Sequence, residues 1–365
     1  MKSRLWKKVS CLILAIAMLV TMAPMAVMAE ENLQEQTVQV ATSVYTKYYG
    51  DAPFQLDAVT DGDGTLVYVS DNPQVCTVAE DGTVTITGVG NAMIDVYATA
   101  TENYAEADAQ PVYVNVSLKG TTVKKFKAGK VARMTVTWAR NAKASGYEVQ
   151  FSYDKLFENV LTKKIKKNTT TKYTVKDIVG GQKVYVRVRC YKKINGETYY
   201  SDWSKAVKAK SKLAKKSALV PVAKLKNLKS LTHSCTKAEL TKAYKAVRRD
   251  MRALVGISKK KQLMYIASMV RYYVDSGLVE YSMSAPHYAD AYGYFVKGVG
   301  SCAGCARATG LCLNMLGYGY EHVNENMYTH QWCRVKVGKQ YWICDAYGLY
   351  VGKEPAPRKH PYIAT

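Results

Sequence analysis

After residue 29 the sequence holds no apolar run of the roughly twenty residues that a helix needs to cross a bilayer, which excludes a spanning helix from the rest of the chain. Histidine is scarce. With five in 365 residues, chemistry that needs an imidazole has few candidates. Cysteine is sparse over most of the length: Cys11 lies in the N-terminal apolar run, and six of the remaining eight fall between 235 and 344. Small scaffolds stapled by disulfides are Cys-dense throughout, so this chain is not one of them. Acidic residues are few, 29 against 52 Lys and Arg, and the two signs are unevenly spread.

The length predicts two or three domains after a processed leader. Lys2, Arg4, Lys7 and Lys8 precede an apolar run at 9–29 that ends in Val27-Met28-Ala29, small enough for cleavage after Ala29. The run is long for a signal peptide, which leaves an uncleaved anchor as the alternative, but Pro24 favours cleavage. The mature chain is thus expected to be exported. No sorting signal is evident near residue 365, so simple secretion or retention by charge is expected.

Residues 30–117 hold fourteen acidic side chains against one lysine, residues 118–216 six against 26 basic ones, and residues 217–365 nine against 21. A basic exported middle suits anionic cell-envelope polymers or membrane surfaces, although a plain solvated lysine-rich face explains it equally well. Few base-stacking aromatics interleave with the lysines, so nucleic acid is not an expected partner.

Between 30 and 117, short β-branched runs such as "TVTIT" and "MIDVYATAT" alternate with Asp-Gly turns, predicting a small all-β sandwich. Asn72 to Val78 and Asp81 to Thr85 resemble the pattern of bacterial Ig-like domains of surface proteins. Asp61 and Asp63 suit a turn better than a calcium site, since no fuller ligand set follows them. Between 118 and 210 a second set of strands includes "ARMTVTWAR", "GYEVQFSYD" and "KVYVRVRCYKK", with Trp138 and Tyr185 expected to point inward. This stretch, with "YYSDWS" at 199–204, resembles fibronectin type III modules. Residues 211–230 read as a lysine-rich linker.

Residues 231–365 change character. Leu240, Tyr244, Val247, Met251 and Leu254 lie at helical spacing, stopped by Gly256, and "KKQLMYIASMVRYYVDSG" predicts a second amphipathic helix. A third begins near Ser301 and ends at Met315 before Gly317, and strand-like "QWCRVKV" and "YWICDAYGLYV" follow. Helices first and strands afterwards predict an α+β domain.

Cys302 falls in the first turn of that third helix, after Gly298, Gly300 and the N-cap candidate Ser301. There the unpaired N–H groups and the helix dipole favour thiolate, and they could receive an oxyanion. Such a nucleophile needs a base and a group to orient it. His233 and His360 sit near segment edges, His322 in a loop and His287 in a Tyr-rich loop, whereas His330 opens a strand. If Gly338-Lys339 is a two-residue hairpin turn, Val337 opposes Gln340 and Cys333 opposes Cys344. His330, Trp332 and Asp345 then share the other face, with His330 and Asp345 diagonal neighbours. A slip of one residue would separate them.

Gly300-Ser-Cys302-Ala-Gly304-Cys-Ala306, His330-Gln-Trp332 and Tyr341-Trp-Ile-Cys-Asp345 resemble the core of the transglutaminase-like superfamily, which includes bacterial cysteine peptidases. The resemblance covers the last 130 or so residues and is best over 298–348. It implies a papain-like or transglutaminase-like α+β fold, with Cys302 as nucleophile, His330 as base and Asp345 as the orienting carboxylate. Two departures stand out: Ala346-Tyr347 replaces the usual Pro-Thr after the aspartate, and Cys333 replaces a small polar residue.

Other readings of the cysteines are weighed against this one. Zinc held by Cys302, Cys305, Cys333 and Cys344 conflicts with the hairpin faces, and a redox Cys-x-x-Cys pair lacks its βαβ setting. Cys333 and Cys344 are cross-strand partners, as a disulfide or as packed thiols. Cys305 and Cys312 suit the helix core; Trp332, Trp342, Tyr288, Tyr292 and Tyr294 suit core and rim. The expectation is a secreted or cell-surface cysteine-triad enzyme, free of metal and cofactor, acting on a peptide or protein substrate. Hydrolysis through a thioester comes first and transfer to an amine second. The alternative is an adhesion or wall-binding protein with an idle C-terminal domain.

Overall fold

A computed structural model describes residues 33–325 and 329–355, so the expected leader and His360 lie outside the described residues. The acidic segment forms the first β-sandwich. One sheet has the order Val44–Tyr48, Gln110–Ser117, Gly90–Ala98 and Leu66–Ser70, and the facing sheet Phe54–Gln55, Thr83–Ile86 and Cys76–Val78. Period-two alternation sends Val84, Ile94, Val96, Val112 and Val114 into the interior, where all are fully buried. Asp61 accepts from the Thr37 N–H and hydroxyl, and Asp63 accepts from Thr101 and Asn103, so both carboxylates tie loops together.

The second sandwich packs Val123–Ala128, Arg133–Trp138 and Lys172–Lys176 against a sheet centred on Lys183–Ile194. Trp138 is buried as expected and meets the Tyr147 ring edge-on at 5.4 Å. Tyr185 is not inward. Val184, Val186 and Val188 take the core face of that strand, and the pleat turns Tyr185 to the half-exposed side.

Residues 211–230 are not a free spacer. Leu219 and Leu225 enter the C-terminal core, the Val220 N–H donates to Met315 O at 2.9 Å, and the Asn227 N–H donates to Asn314 Oδ1 at 2.8 Å. Apolar residues placed between the lysines give this segment something to bury, while the charged heads remain outside.

In the C-terminal module helix α1 (Lys237–Leu254) starts in a capping box of Thr236 and Glu239 and buries Leu240, Tyr244, Val247, Met251 and Leu254 as their spacing predicts. Helix α2 (Lys259–Asp275) follows the Gly256 turn, whose φ of +81° suits only glycine well. Strand β1 (Glu280–Tyr281) pairs in parallel with β2 (Val299–Gly300), which leads into helix α3 (Cys302–Met315). Strands β3 (Tyr320–Val323), β4 (Trp332–Val337), β5 (Gln340–Asp345) and β6 (Tyr350–Lys353) form an antiparallel sheet in that order. Ala303 through Met315 are all buried, so α3 is the central helix of the module.

The second sandwich is docked against the helices. Gly180 N–H donates to Ala253 O at 2.8 Å, and Asp177 accepts from the Ser258 N–H at 2.8 Å, capping α2 from outside its own module. Burial works against the Asp177 charge, but the Ser258 N–H, the Ser258 hydroxyl and Lys261 at 3.5 Å outweigh it and hold the carboxyl below its usual value. Its stabilisation is therefore present above about pH 4, the unfolded aspartate range, and is lost as pH falls through the lower folded value. Asp177→Ala is expected to cost about 1 kcal/mol at pH 7, as loss of an N-cap does. Urea titrations of both proteins at pH 7 and pH 3 should show that difference shrinking in acid.

Candidate active site

The hairpin that the sequence predicts is formed in the expected register. Val337 pairs with Gln340 and Cys333 with Cys344. The alternation places His330 and Asp345 on one face, and His330 Nε2 lies 2.7 Å from Asp345 Oδ2. Asp345 is buried to 1% exposure, and its other oxygen accepts from the Gly348 N–H at 2.9 Å. Two hydrogen bonds thus compensate a carboxylate that would otherwise be costly to bury. With Nε2 committed to Asp345, Nδ1 is the ring nitrogen left to face Cys302, and thiol and imidazole act on each other's charge.

Cys302 is the first residue of α3 and is partly exposed. Burial opposes its thiolate most strongly. The hydrogen bond from His330, the Gln331 N–H, the His330 charge and the Ala303 N–H together overcome that penalty, and the thiol lies below its ordinary value of 9. Burial likewise opposes the imidazolium, but hydrogen bonds and charge from Asp345 and Cys302 raise His330 to about 9. Both shifts run in the direction that favours a thiolate–imidazolium pair. The N-cap position of Ser301 is as expected, although its hydroxyl does not cap the helix and reaches Tyr288 O at 3.4 Å.

Glycine allows this close assembly. A Cβ at Gly304 would lie 2.5 Å from Tyr288 O, and one at Gly300 2.8 Å from the Tyr294 ring. The loop carrying Tyr288 can therefore lie directly on the first turn of α3.

Cys302 and His330 open onto a cleft of about 540 Å³ whose walls include His233, Ser234, Tyr281, Met283, Tyr288, Arg307, Gln331 and Tyr347. Trp332 stacks on His330 at 5.8 Å, and Tyr347 approaches it at 6.0 Å. Of the tyrosines that precede Cys302, Tyr288 lines the cleft, whereas Tyr292 and Tyr294 are buried.

Sequence reasoning does not find Arg307 or the role of Tyr347. Arg307 is buried and donates to Ser230 O at 3.2 Å, Ala289 O at 2.8 Å and Glu325 Oε1 at 2.9 Å, joining three segments around the cleft. A charged residue within the apolar run of α3 was the available signal. Tyr347 stands where the resemblance leads one to expect threonine, and its carbonyl accepts from Arg271 Nη1 at 2.5 Å.

The remaining candidates separate clearly. Cys305, Cys312, Cys333 and Cys344 are buried free thiols; Cys333 donates to Ala306 O at 3.1 Å and Cys344 to Leu263 O at 3.7 Å. The cross-strand pair is thus packed as thiols. Among the described residues no group of three or more His, Cys, Asp or Glu side chains is placed to hold a metal. The His322 side chain is only 2% exposed, and desolvation with Arg307 nearby lowers it to about 4, unsuitable for a base at neutral pH. His287 pairs with Asp290 at 2.9 Å, but the hollow it lines carries no nucleophile. Replacing Asp345 by Asn should lower the His330 titration, followed by imidazole NMR, from near pH 9 by about one unit or more.

The family model for the intimin immunoglobulin-like domain matches residues 57–101, within the first sandwich. No curated protein matches the chain. Among solved structures, titin domains A168–A170 align with 48% of this chain and 66% of that one at 16% identity and a TM-score of 0.20. A fibronectin III-like protein from Clostridium thermocellum aligns with 27% of this chain and 96% of that one at 19% identity and a TM-score of 0.22. At these scores the strand pairing itself carries the fold argument. The first module contains the immunoglobulin-like match, the second is a β-sandwich, and an α+β module follows.

Proposed function

We propose that the C-terminal module is a cysteine-nucleophile acyl-transfer enzyme, of papain-like or transglutaminase-like kind, displayed outside the cell by two β-sandwiches. The single observation that carries this reading is the linked set Asp345–His330–Cys302 at the helix N-terminus, open to a cleft. In the forward step the Cys302 thiolate forms a bond to the carbon of a peptide or amide carbonyl. The displaced electron pair rests on oxygen, which backbone N–H groups at the start of α3 would stabilise. Collapse expels the amine, which takes its proton from the His330 imidazolium, and leaves a thioester. His330 then accepts a proton from water as it attacks the thioester, and Cys302 is released. An amine in place of water would give transfer. Hydrolysis is preferred because water is always present, whereas transfer to an amine requires that it be excluded from the cleft.

A second reading is favoured by a different observation. The intimin immunoglobulin-like match at residues 57–101 supports a surface-adhesion protein. In that reading the C-terminal module is idle and the basic middle module holds an anionic cell-envelope polymer.

Alkylation of Cys302 by iodoacetamide against pH, read by peptide mass, separates the two. The enzyme reading expects fast labelling that is already on its plateau below about pH 7 and collapses in His330→Ala. A rate that rises only near pH 8.5, the free-thiol range, and ignores His330 would favour the adhesion reading.

A further inference from the structure

Strand β1 has one unused edge beside the nucleophile. Glu280 and Ser282 send their N–H groups to Gly298 O and Gly300 O, at 2.8 and 3.1 Å. In a parallel ladder the residue between them directs its N–H and C=O the opposite way, so the main chain of Tyr281 faces away from β2. Among the described residues no strand covers that side, since β1 and β2 form a two-stranded sheet. Both residues of β1 are exposed, and Tyr281 and Met283, each 53% exposed, stand in the wall of the cleft that holds Cys302. Gly300, the partner of Tyr281, is two residues from Cys302, or about 7 Å of extended chain.

An open strand edge presents main-chain groups with which another chain can pair, and here exposed apolar side chains stand beside it. The rim is continuous with the cleft: Tyr281 meets the Tyr347 ring at 6.2 Å, and Tyr347 in turn flanks His330. The main-chain groups of Tyr281 offer one donor and one acceptor at the spacing of an extended peptide, and Tyr281, Met283 and Tyr347 offer an apolar bed for a side chain beside it.

Resting on the acyl-transfer reading above, we infer that the substrate is a peptide bound in extended form as an added strand on the outer edge of β1, clamped through the main chain of Tyr281, with an apolar side chain laid against Tyr281, Met283 and Tyr347. The substrate class is therefore an unfolded or extended polypeptide segment rather than an isolated amide.

The test uses peptidyl chloromethyl ketones on the full chain. The thiolate displaces chloride and forms a stable carbon–sulfur bond, so no natural substrate is needed. Acetyl-Ala-Leu-Ala-chloromethyl ketone and its singly N-methylated forms are compared, each rate divided by that of iodoacetamide on the same protein. The clamp predicts that N-methylation at one position slows labelling about ten-fold, as loss of one main-chain hydrogen bond does, and that the other positions matter little. Tyr281→Pro, which removes the donor, should lower the peptidyl rate ratio similarly and abolish the position-specific N-methyl effect. Rates that vary less than about two-fold across all N-methylated forms of the wild type would overturn the clamp even with Cys302 fast toward iodoacetamide. Slow labelling by iodoacetamide itself would instead overturn the acyl-transfer reading, and the clamp with it.

Discussion

The arrangement around His330 depends on the burial of one carboxylate. Asp345 sits at the end of β5 with almost no contact with water, and it is tolerable there because His330 Nε2 and the Gly348 N–H satisfy its two oxygens. That same bond fixes the imidazole plane and decides which nitrogen faces Cys302. The hairpin register is what brings the two together, and a one-residue slip would send Asp345 to the face that Cys333 and Cys344 occupy. The buried thiols therefore matter to the site as packing: their small apolar side chains let the sheet lie on α3 and α2.

A second constraint is close approach. Cys302 gains from the helix terminus only if the chain enters α3 tightly, and the entry runs through Gly298 in the left-handed region, then Gly300 against the Tyr294 ring. Gly304 lets the Tyr288 loop pass over the first turn, and Arg307, one turn further along, ties that loop to the segments at Ser230 and Glu325. The cleft is thus framed by three stretches distant in sequence, held by a single guanidinium whose fixed fork suits several acceptors at once.

The modules are joined more firmly than a lysine-rich connection suggests. Leu219 and Leu225 belong to the core of the C-terminal module, and Asp177 of the second sandwich caps α2. The middle module therefore braces the helices that pack beneath the sheet, in addition to whatever its basic surface meets. This gives a physical reason for a sandwich to stand next to the α+β module under either functional reading.

Much of this was legible in the chain. Period-two alternation marked both sandwiches, helical spacing marked the faces of α1, and the Gly338-Lys339 turn with its flanking alternation determined the register that joins His330 to Asp345. These features are local, so short-range pattern suffices. Pattern is silent where burial decides: Tyr185 occupies the outward side of its strand because its valine neighbours take the core, and 211–230 is ordered because scattered apolar residues find a core that only the fold creates. Arg307, the placement of Tyr347 beside His330 and the open edge at Tyr281 depend on contacts between segments dozens of residues apart. The sequence by itself determined the sandwich strands, the hairpin register and the pairing of His330 with Asp345; the tertiary structure decided the walls of the cleft, because those walls come from chain segments that only folding brings together.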